Sequence, residues 1–201
     1  MKRLFLMVAA CVASAGAFSQ SFQHGVGVGI YVDKIEHIDP RANFAFTYNP
    51  RFNFVENESM SVSVGIPLSV GFSGSYDASY NSNGNSYENN SLGYMVNVPL
   101  MVNVNLGGGS SKLCKKHFGG FFGAGYAYYL TNKEDTYTYD ENMNEIAKTV
   151  GGSTMGPTGN IGMRFAVGRH HSKSVEVKMS YFRGTTQYKI DLFGVGAAFN
   201  F

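Results

Sequence analysis

The sequence predicts an all-β protein, a closed eight-stranded antiparallel transmembrane up-and-down β-barrel. Three observations predict this fold. Apolar residues recur at every second position in eight segments, which is the period of a β-strand. The connections between the segments alternate between long and short, as membrane barrels require. The last segment, 190–201, keeps the alternation up to Phe201, so we expect it to close against the first strand.

The amino terminus carries the features of an export signal. Lys2 and Arg3 precede an apolar stretch over residues 4–17 that is too short to span a bilayer. Small residues follow, and we expect cleavage after Ala17 or Ser19. The chain is therefore expected to consist of a signal peptide, 1–19, and a barrel domain, 20–201.

The composition favours strands and argues against nucleic-acid binding. The 201 residues include 25 Gly, 13 Tyr and 16 Phe, and only 15% are charged, which suits short strands better than helices. Without Lys2 and Arg3 the 16 basic residues become 14, against 14 acidic ones. A net charge near zero offers no basic patch for nucleic acid. After the export signal no apolar run is long enough for a transmembrane helix, although barrel strands leave only a weak hydropathy signal.

The fourth predicted strand, Leu92 to Leu106, is the clearest. Its even positions are all apolar, and its odd positions are small, flexible or polar. An amphipathic helix would instead place apolar residues at steps of three and four. The same alternation predicts the other strands, over 26–32, 44–54, 62–72, 118–130, 161–167, 175–181 and 190–201. Eight is an even number, as an antiparallel barrel with both termini at one end requires.

The two faces of the predicted strands differ in bulk and polarity. One face carries aliphatic and aromatic side chains and is expected to contact lipid, whereas the other carries Gly, Ser, Asn and a few charges. The charged residues at inward positions are Arg51, Arg164, Glu176 and Lys178. An eight-stranded barrel has room for little besides its own side chains, so we expect a salt-bridge network in which Arg51 or Arg164 pairs with Glu176. A narrow ion or proton path is the alternative interpretation.

Two prolines lie within the third and fourth predicted strands. If these strands form a hairpin with Met60 opposite Leu106, then Pro67 lies opposite Pro99 on the lumen side at mid-barrel. Proline donates no ladder hydrogen bond, and this pairing would confine the lost bonds to one rung.

The connections predict the orientation of the barrel. Segments 33–41, 73–91 and 131–154 are long and polar, and with the turn 183–187 they are expected outside the cell. The periplasmic connections are then 55–59, 107–116 and 169–173. Lys189 and Asp191 share the outward phase of the eighth strand, so either a β-bulge intervenes or these charges stand above the bilayer.

Outward aromatic residues near the strand ends predict two interfacial belts. The expected periplasmic belt contains Phe54, Phe118 and Phe199, and the expected outer belt contains Phe72, Tyr94 and Tyr128.

The sequence predicts no catalytic, cofactor-binding or metal site. Cys114 is the single cysteine beyond the signal, so no internal disulfide is expected. The adjacent His170 and His171 lie in a predicted basic turn, and the acidic segment 140–145 lacks the spacing of a calcium loop. The Ser/Asn/Tyr/Gly-rich segment 73–91 is equally typical of a recognition loop and of a disordered one.

The chain as a whole resembles the small eight-stranded outer-membrane β-barrels of the OmpA-like and OmpX-like type. The resemblance covers the signal peptide, the eight alternating strands and the terminal Phe201. It implies the outer membrane of a Gram-negative bacterium as location, outer-membrane lipid and the barrel-assembly machinery as partners, and a monomer without cofactor. In that family the terminal aromatic strand resembles the signal that the barrel-assembly machinery reads. The corresponding residues of this sequence are Phe199 and Phe201.

The architecture specifies fold and location better than activity. Our main hypothesis is a non-enzymatic outer-membrane barrel with a side-chain-filled lumen and outer loops available for surface interaction. One alternative is a lipid-modifying enzyme similar to the barrel lipid A deacylases, for which only His171 and Ser172 offer a faint parallel. The other is a soluble lipocalin-like barrel, although the bulky side chains on the apolar face and the few charges favour a lipid-facing exterior.

Overall fold

The computed structural model describes residues 21–35, 40–80, 86–111, 114–139, 145–168, 173–186 and 189–201. The strands are β1 (Ser21–Gln23), β2 (Gly25–Ile35), β3 (Arg41–Tyr48), β4 (Arg51–Glu56), β5 (Met60–Gly65), β6 (Leu68–Tyr80), β7 (Ser86–Gly107), β8 (Phe118–Tyr139), β9 (Glu145–Val167), β10 (Lys173–Arg183) and β11 (Ile190–Asn200). All of them belong to one antiparallel sheet, which closes on itself because β7 pairs with β5, β6 and β8. The described residues include no helix long and apolar enough to cross a membrane.

The wall of the barrel consists of eight strands, as predicted. Three of them are made of two elements each, namely β1 and β2, β3 and β4, and β5 and β6, because the register is the same on both sides of each interruption. Proline explains each interruption. Pro50 separates β3 from β4, Pro67 separates β5 from β6, and neither has an N–H to donate. His24, between β1 and β2, lies opposite Pro50 and exchanges backbone hydrogen bonds with Phe201 on its other side, at 3.1 and 2.8 Å.

The register also places Pro67 opposite Pro99, as predicted. The pair Gly65–Met101 lies on one side of the two prolines and the pair Ser69–Asn97 on the other. Both prolines are buried on the lumen side. The ladder between β5/β6 and β7 is therefore interrupted at one level and resumes without a shift.

The predicted phase of all eight strands is confirmed. The apolar positions face outward and are exposed, Phe46 at 60% and Ile161 at 62%. The opposite positions, including Asn43, Ser63 and Asn105, are fully buried inside the barrel. Gly residues at inward positions leave room for neighbouring side chains: a Cβ at Gly194 would lie 2.5 Å from the Tyr31 ring.

Two segments predicted as long connections are strands instead. β6 and β7 pair up to Tyr80–Ser86, and β8 and β9 pair up to Tyr139–Glu145. The prediction of loops over 73–91 and 131–154 was therefore wrong. These segments contain few apolar residues, so no apolar alternation marks them as strands although the backbone pairing continues. We call this end of the barrel the hairpin end, and the end with residues 21 and 201 the terminal end.

The eighth strand contains no β-bulge. β11 pairs with β2 from Ile190–Ile35 to Asn200–Gly25 without a shift, and its pairing with β10 is equally regular. Asp191 therefore lies on the outer surface at the hairpin end, between Lys34 and Arg183 in the register. Tyr181, also on the outer surface, donates a hydrogen bond to Asp191 Oδ1 at 2.6 Å. The β-bulge interpretation of these outward charges is therefore wrong, and their position above the bilayer stays a prediction.

Candidate functional site: the barrel interior

The terminal half of the lumen contains a buried ion pair. Arg164 Nε donates to Glu176 Oε2 at 2.8 Å, and the two residues are 2% and 1% exposed. They are direct neighbours on β9 and β10. Arg164 Nη1 also donates to Asn105 Oδ1 at 2.6 Å, its guanidinium carbon lies 4.1 Å from the Phe121 ring centroid, and Asn200 Nδ2 donates to Glu176 Oε2 at 3.2 Å. Each charge thus has several partners, as buried charges require.

Arg51 occupies the same half of the lumen and binds neutral groups. Its Nε donates to Gln23 Oε1 at 2.8 Å, and its Nη2 donates to the same oxygen and to the Gly109 carbonyl, the latter at 2.8 Å. Its Nη1 is buried without a hydrogen-bond partner among the described residues. The expectation left the choice between Arg51 and Arg164 open, and the geometry assigns the pair with Glu176 to Arg164.

Lys178 also faces the interior and is 7% exposed. It lines a small mid-barrel cavity that both Pro67 and Pro99 reach. No hydrogen bond or ion pair connects its ammonium group to a described residue. Its charge acts on Glu176, two residues before it in β10.

The connection between β7 and β8 folds into the terminal end of the lumen. Gly107 and Gly109 adopt φ values of +72° and +70°, a region that glycine enters without strain. The Ser110 carbonyl accepts hydrogen bonds from Asn53 Nδ2 at 3.4 Å and Ser61 Oγ at 2.5 Å. Cys114, the free cysteine, is 1% exposed in this segment. Sequence reasoning treated 107–116 only as a long turn, whereas its first residues form the floor of the barrel.

A second charged cluster lies at the hairpin end of the lumen. Arg41 Nη2 and Asp33 Oδ2 are 2.7 Å apart, and Arg41 also donates to Thr131. Tyr129 Oη donates to Asp33 Oδ2 at 2.9 Å, and Asn43 Nδ2 to Asp33 Oδ1 at 3.3 Å. We call these five residues the outer cluster. Sequence reasoning missed it because Asp33 and Arg41 bound the segment assigned to a connection, although both continue the inward phase of their strands.

A β-bulge directs one further side chain toward the outer cluster. Between β8 and β9 the register shifts at Asn132, opposite Gly151 and Gly152. The Asn132 side-chain oxygen accepts hydrogen bonds from Arg41 Nη1 at 3.1 Å and from the Tyr94 backbone N–H at 3.3 Å. Bulges commonly re-aim a side chain in this way at the rim of a barrel.

Large apolar side chains pack beside the outer cluster, inside the barrel. The buried group includes Tyr31, Met95, Phe182, Ile190 and Leu192. The Phe182 ring centroid lies 5.9 Å from that of Tyr129. The sequence had suggested an inward face of Gly, Ser, Asn and charges, but the volume of the lumen at this level is filled mainly by apolar groups. Beside them the Asp33 side chain is 1% exposed, whereas the Arg41 side chain is 19% exposed.

Candidate metal ligands form no centre in the described part of the chain. No three His, Cys, Asp or Glu side chains are grouped there in a way that could hold a metal ion. His24 Nδ1 and Tyr48 Oη form a hydrogen bond of 2.6 Å, and the His24 ring stacks on Phe201 with centroids 5.9 Å apart. His170, His171 and residues 140–144 lie outside the described residues.

The six residues proposed for the aromatic belts all lie on the barrel exterior, and none is buried. Near the terminal end, Phe118 packs on Phe165 with ring centroids 5.4 Å apart, and Phe199 stacks on Phe201 at 6.3 Å. A core would have buried such residues, so the aromatic surface belongs to the outside of the barrel.

The closed antiparallel wall, its apolar exterior and its charged interior define the fold of the small eight-stranded outer-membrane β-barrels. Several solved structures are similar to this chain, and the first of those given below shares this fold. Neisserial surface protein A (NspA) is 8% identical, with a TM-score of 0.58 over 90% of this chain and 97% of that one. The Ail attachment invasion locus protein of Yersinia pestis is 11% identical, with a TM-score of 0.47 over 92% of this chain and 99% of that one. The outer membrane protein OprG of Pseudomonas aeruginosa is 9% identical, with a TM-score of 0.43 over 92% and 98%.

Sequence comparison adds no closer assignment. No protein-family profile matches the chain, and no curated protein matches its sequence significantly. At these low identities the structural likeness concerns the fold alone.

Proposed function

We propose that this chain is a non-enzymatic integral protein of the outer membrane of a Gram-negative bacterium. The observation that carries the proposal is its inverted polarity: exposed Phe and Tyr cover the outside, whereas Arg164 and Glu176 are buried inside. A bilayer removes the exposed apolar surface from water, and a closed barrel pairs the backbone groups of its wall strands with one another rather than with solvent. A soluble lipocalin-like barrel would need the opposite distribution, with an apolar calyx and a charged exterior.

The charges on the outer surface support an orientation. Lys34, Arg183 and Asp191 face outward at the hairpin end, where the hydrocarbon region of the bilayer would end. The terminal end has the short turn 57–59, in which Asn57 Oδ1 accepts hydrogen bonds from the backbone N–H groups of Ser59 and Met60. Because barrels of this class carry short turns on the periplasmic side, the hairpin end faces the cell exterior in our proposal.

The filled interior supports a structural role for the lumen. Arg164 and Glu176 neutralise each other, the segment after β7 covers the terminal end, and apolar side chains fill the hairpin half. Arg51, Arg164, Glu176 and Lys178 then act as a packed network that stabilises the barrel, and ions do not pass.

The two hairpins supply a surface for interaction outside the cell. β7 pairs with β8 only from Met95 onward, and β9 pairs with β10 only from Thr158 onward. Beyond those points each hairpin is a two-stranded ribbon whose edges pair with no other described strand. Free main-chain groups along such edges can accept an added strand from a partner, so we propose that the hairpins bind extracellular protein.

Membrane insertion and orientation can be tested together in expressing cells. We expect the protein to fractionate with the outer membrane and to migrate faster on gels when unheated. In a Cys114→Ser background, an impermeant maleimide should label Asn89→Cys, on the β6–β7 hairpin, in intact cells. It should label Glu58→Cys, in the short turn at the terminal end, only after lysis. Labelling of Glu58→Cys in intact cells would reverse the orientation, and migration unaffected by heat would refute the membrane barrel.

The interaction role requires a variant that keeps the barrel. Replacing 76–90 and 136–148 by Asn-Gly turns joins the paired residues Ser75–Ser91 and Asp135–Thr149 through the turn type preferred in tight hairpins. The trimmed protein should retain heat-dependent migration, and cells expressing it should lose attachment to immobilised matrix proteins. Equal attachment by the trimmed and the full-length protein would show that the hairpins do not bind the matrix proteins. Release of fatty acid from outer-membrane lipid by either form would favour the enzymatic alternative.

Phe199 and Phe201 are proposed as the assembly signal read by the barrel-assembly machinery. Both face the outside on or beside β11 at the terminal end, where they stack on each other. Substituting both with Ala should slow the appearance of folded protein in cells more than it lowers the stability of the purified barrel. Equal effects in both settings would make their role purely structural. We further propose that the barrel works as a monomer surrounded by outer-membrane lipid.

A further inference from the structure

A small cavity lies at mid-barrel, at the level where the wall ladder is interrupted. Its volume is about 20 Å³, and its walls include Pro67, Pro99, Asn97, Asn160 and Lys178. A single water molecule needs about 10–15 Å³ of such volume and usually two to four polar partners. The cavity therefore has room for one water molecule, and its polarity decides whether one is bound.

Three groups on its walls lack a protein partner. Asn97 Oδ1 and Asn160 Oδ1 are buried and accept no hydrogen bond from a described residue. The Lys178 ammonium, three donors on a side chain that is 7% exposed, donates to no described residue. A buried polar group without a partner is unfavourable, and more so when it is charged.

Two other polar residues on the walls, Tyr31 and Thr158, already have hydrogen-bond partners. Tyr31 Oη and Ser69 Oγ form a hydrogen bond of 3.0 Å, and Thr158 Oγ1 donates to the Tyr181 carbonyl at 2.9 Å. Pro67 and Pro99 have no N–H. The groups that this cavity offers to a ligand thus include one cationic donor and two amide acceptors.

We propose that the cavity is a binding site for one buried water molecule. Its oxygen accepts a hydrogen bond from Lys178 Nζ, and its two hydrogens are donated to Asn97 Oδ1 and Asn160 Oδ1. A cation is excluded by the ammonium group, and an anion would face two amide oxygens. A water molecule fits this volume and offers an acceptor and two donors together.

The site links β7 to two strands with which it does not pair, β9 and β10. Asn97 lies on β7, whereas Lys178 and Asn160 lie on β10 and the adjacent β9. The bound water thereby allows the Lys178 charge to remain inside the lumen without a carboxylate of its own. It also connects β7 to β9 and β10 through hydrogen bonds across the lumen. This connection lies at the level where Pro67 and Pro99 interrupt the ladder between β5/β6 and β7.

Water-edited solid-state NMR of the labelled protein in lipid bilayers tests the site directly. Magnetisation from water should reach Lys178 Cε and the side-chain carbonyl carbons of Asn97 and Asn160 at short mixing times. It should not reach the methyl groups of Leu192, which is as deeply buried in the apolar part of the lumen. No transfer to the three polar side chains in the wild-type barrel would overturn the proposal.

Matched variants distinguish a water molecule bound at this site from water that enters the lumen elsewhere. Lys178→Met removes the donor at similar length and should reduce transfer to Asn160 several-fold, whereas Lys189→Met, at an exposed lysine, should leave it unchanged. Asn160→Leu should reduce transfer to Lys178 in the same way. Undiminished transfer in both folded lumen variants would contradict a site built from these groups. If neither variant folds, the wild-type measurement still decides.

Discussion

Replacing Glu176 by Gln should strongly destabilise the barrel. The substitution keeps the shape and one acceptor oxygen, so most of the contacts with Arg164 Nε and Asn200 Nδ2, at 2.8 and 3.2 Å, can persist. It removes the negative charge, however, and leaves Arg164 beside the interior cations Arg51 and Lys178. The effect therefore isolates charge compensation from hydrogen bonding.

The expected magnitude follows from the burial of the pair. Arg164 and Glu176 are 2% and 1% exposed, and removing one partner of a buried ion pair costs about 3–5 kcal/mol. Because the amide retains hydrogen bonds, we expect the lower end, about 3 kcal/mol, which is roughly a hundredfold or more in the unfolding equilibrium constant. Glu58→Gln makes the same chemical change at an exposed turn and should alter the free energy of unfolding by less than about 0.5 kcal/mol.

The assay is urea unfolding in lipid vesicles, followed by the faster migration of the folded form on unheated gels, because the chain has no Trp for fluorescence. Replacing both partners, as Arg164→Met with Glu176→Leu, should recover part of the loss, since an apolar pair needs no compensation. A Glu176→Gln midpoint equal to that of Glu58→Gln would refute the electrostatic reasoning.

Three further outcomes are expected. Gly125→Ala should reduce the yield of folded barrel in the same gel assay, because its Cβ would lie 2.0 Å from a backbone carbonyl oxygen. In the control Gly74→Ala the new Cβ would meet nothing within 4 Å, so this variant should fold normally. Equal yields of the Gly125→Ala and Gly74→Ala variants would contradict the packing argument. Tyr129→Phe should lower the free energy of unfolding by about 1.5–3 kcal/mol, because it removes a buried hydrogen bond to the outer cluster's carboxylate; the exposed Tyr128→Phe is the control, and matching midpoints would show that this bond contributes little. Cys114, buried in the floor, should react with a maleimide reagent only after unfolding, and rapid labelling of the folded protein would show that the floor opens.

The local pattern of the sequence was sufficient to predict the barrel wall. A strand between lipid and a packed lumen has two different environments, so its side chains alternate in kind, and this period was readable in all eight strands. The same phase placed Arg51, Arg164, Glu176 and Lys178 inside without any knowledge of their neighbours. The hairpin segments of β6 to β9 were not recognised because they contain few apolar residues and therefore show no apolar period.

Which interior groups meet depends on register across the wall, and only the tertiary structure decided this. Arg164 pairs with Glu176 because β9 and β10 align them directly, whereas Arg51 lies where Gln23 and the Gly109 carbonyl come within reach. No local pattern in the sequence indicates that the segment after β7 folds into the lumen. None indicates that distant strands meet in the outer cluster. The sequence by itself thus determined which side of the wall each strand residue occupies, because that choice depends on the residue's own polarity. The partners inside the barrel depend on the alignment of whole strands, which no single segment contains.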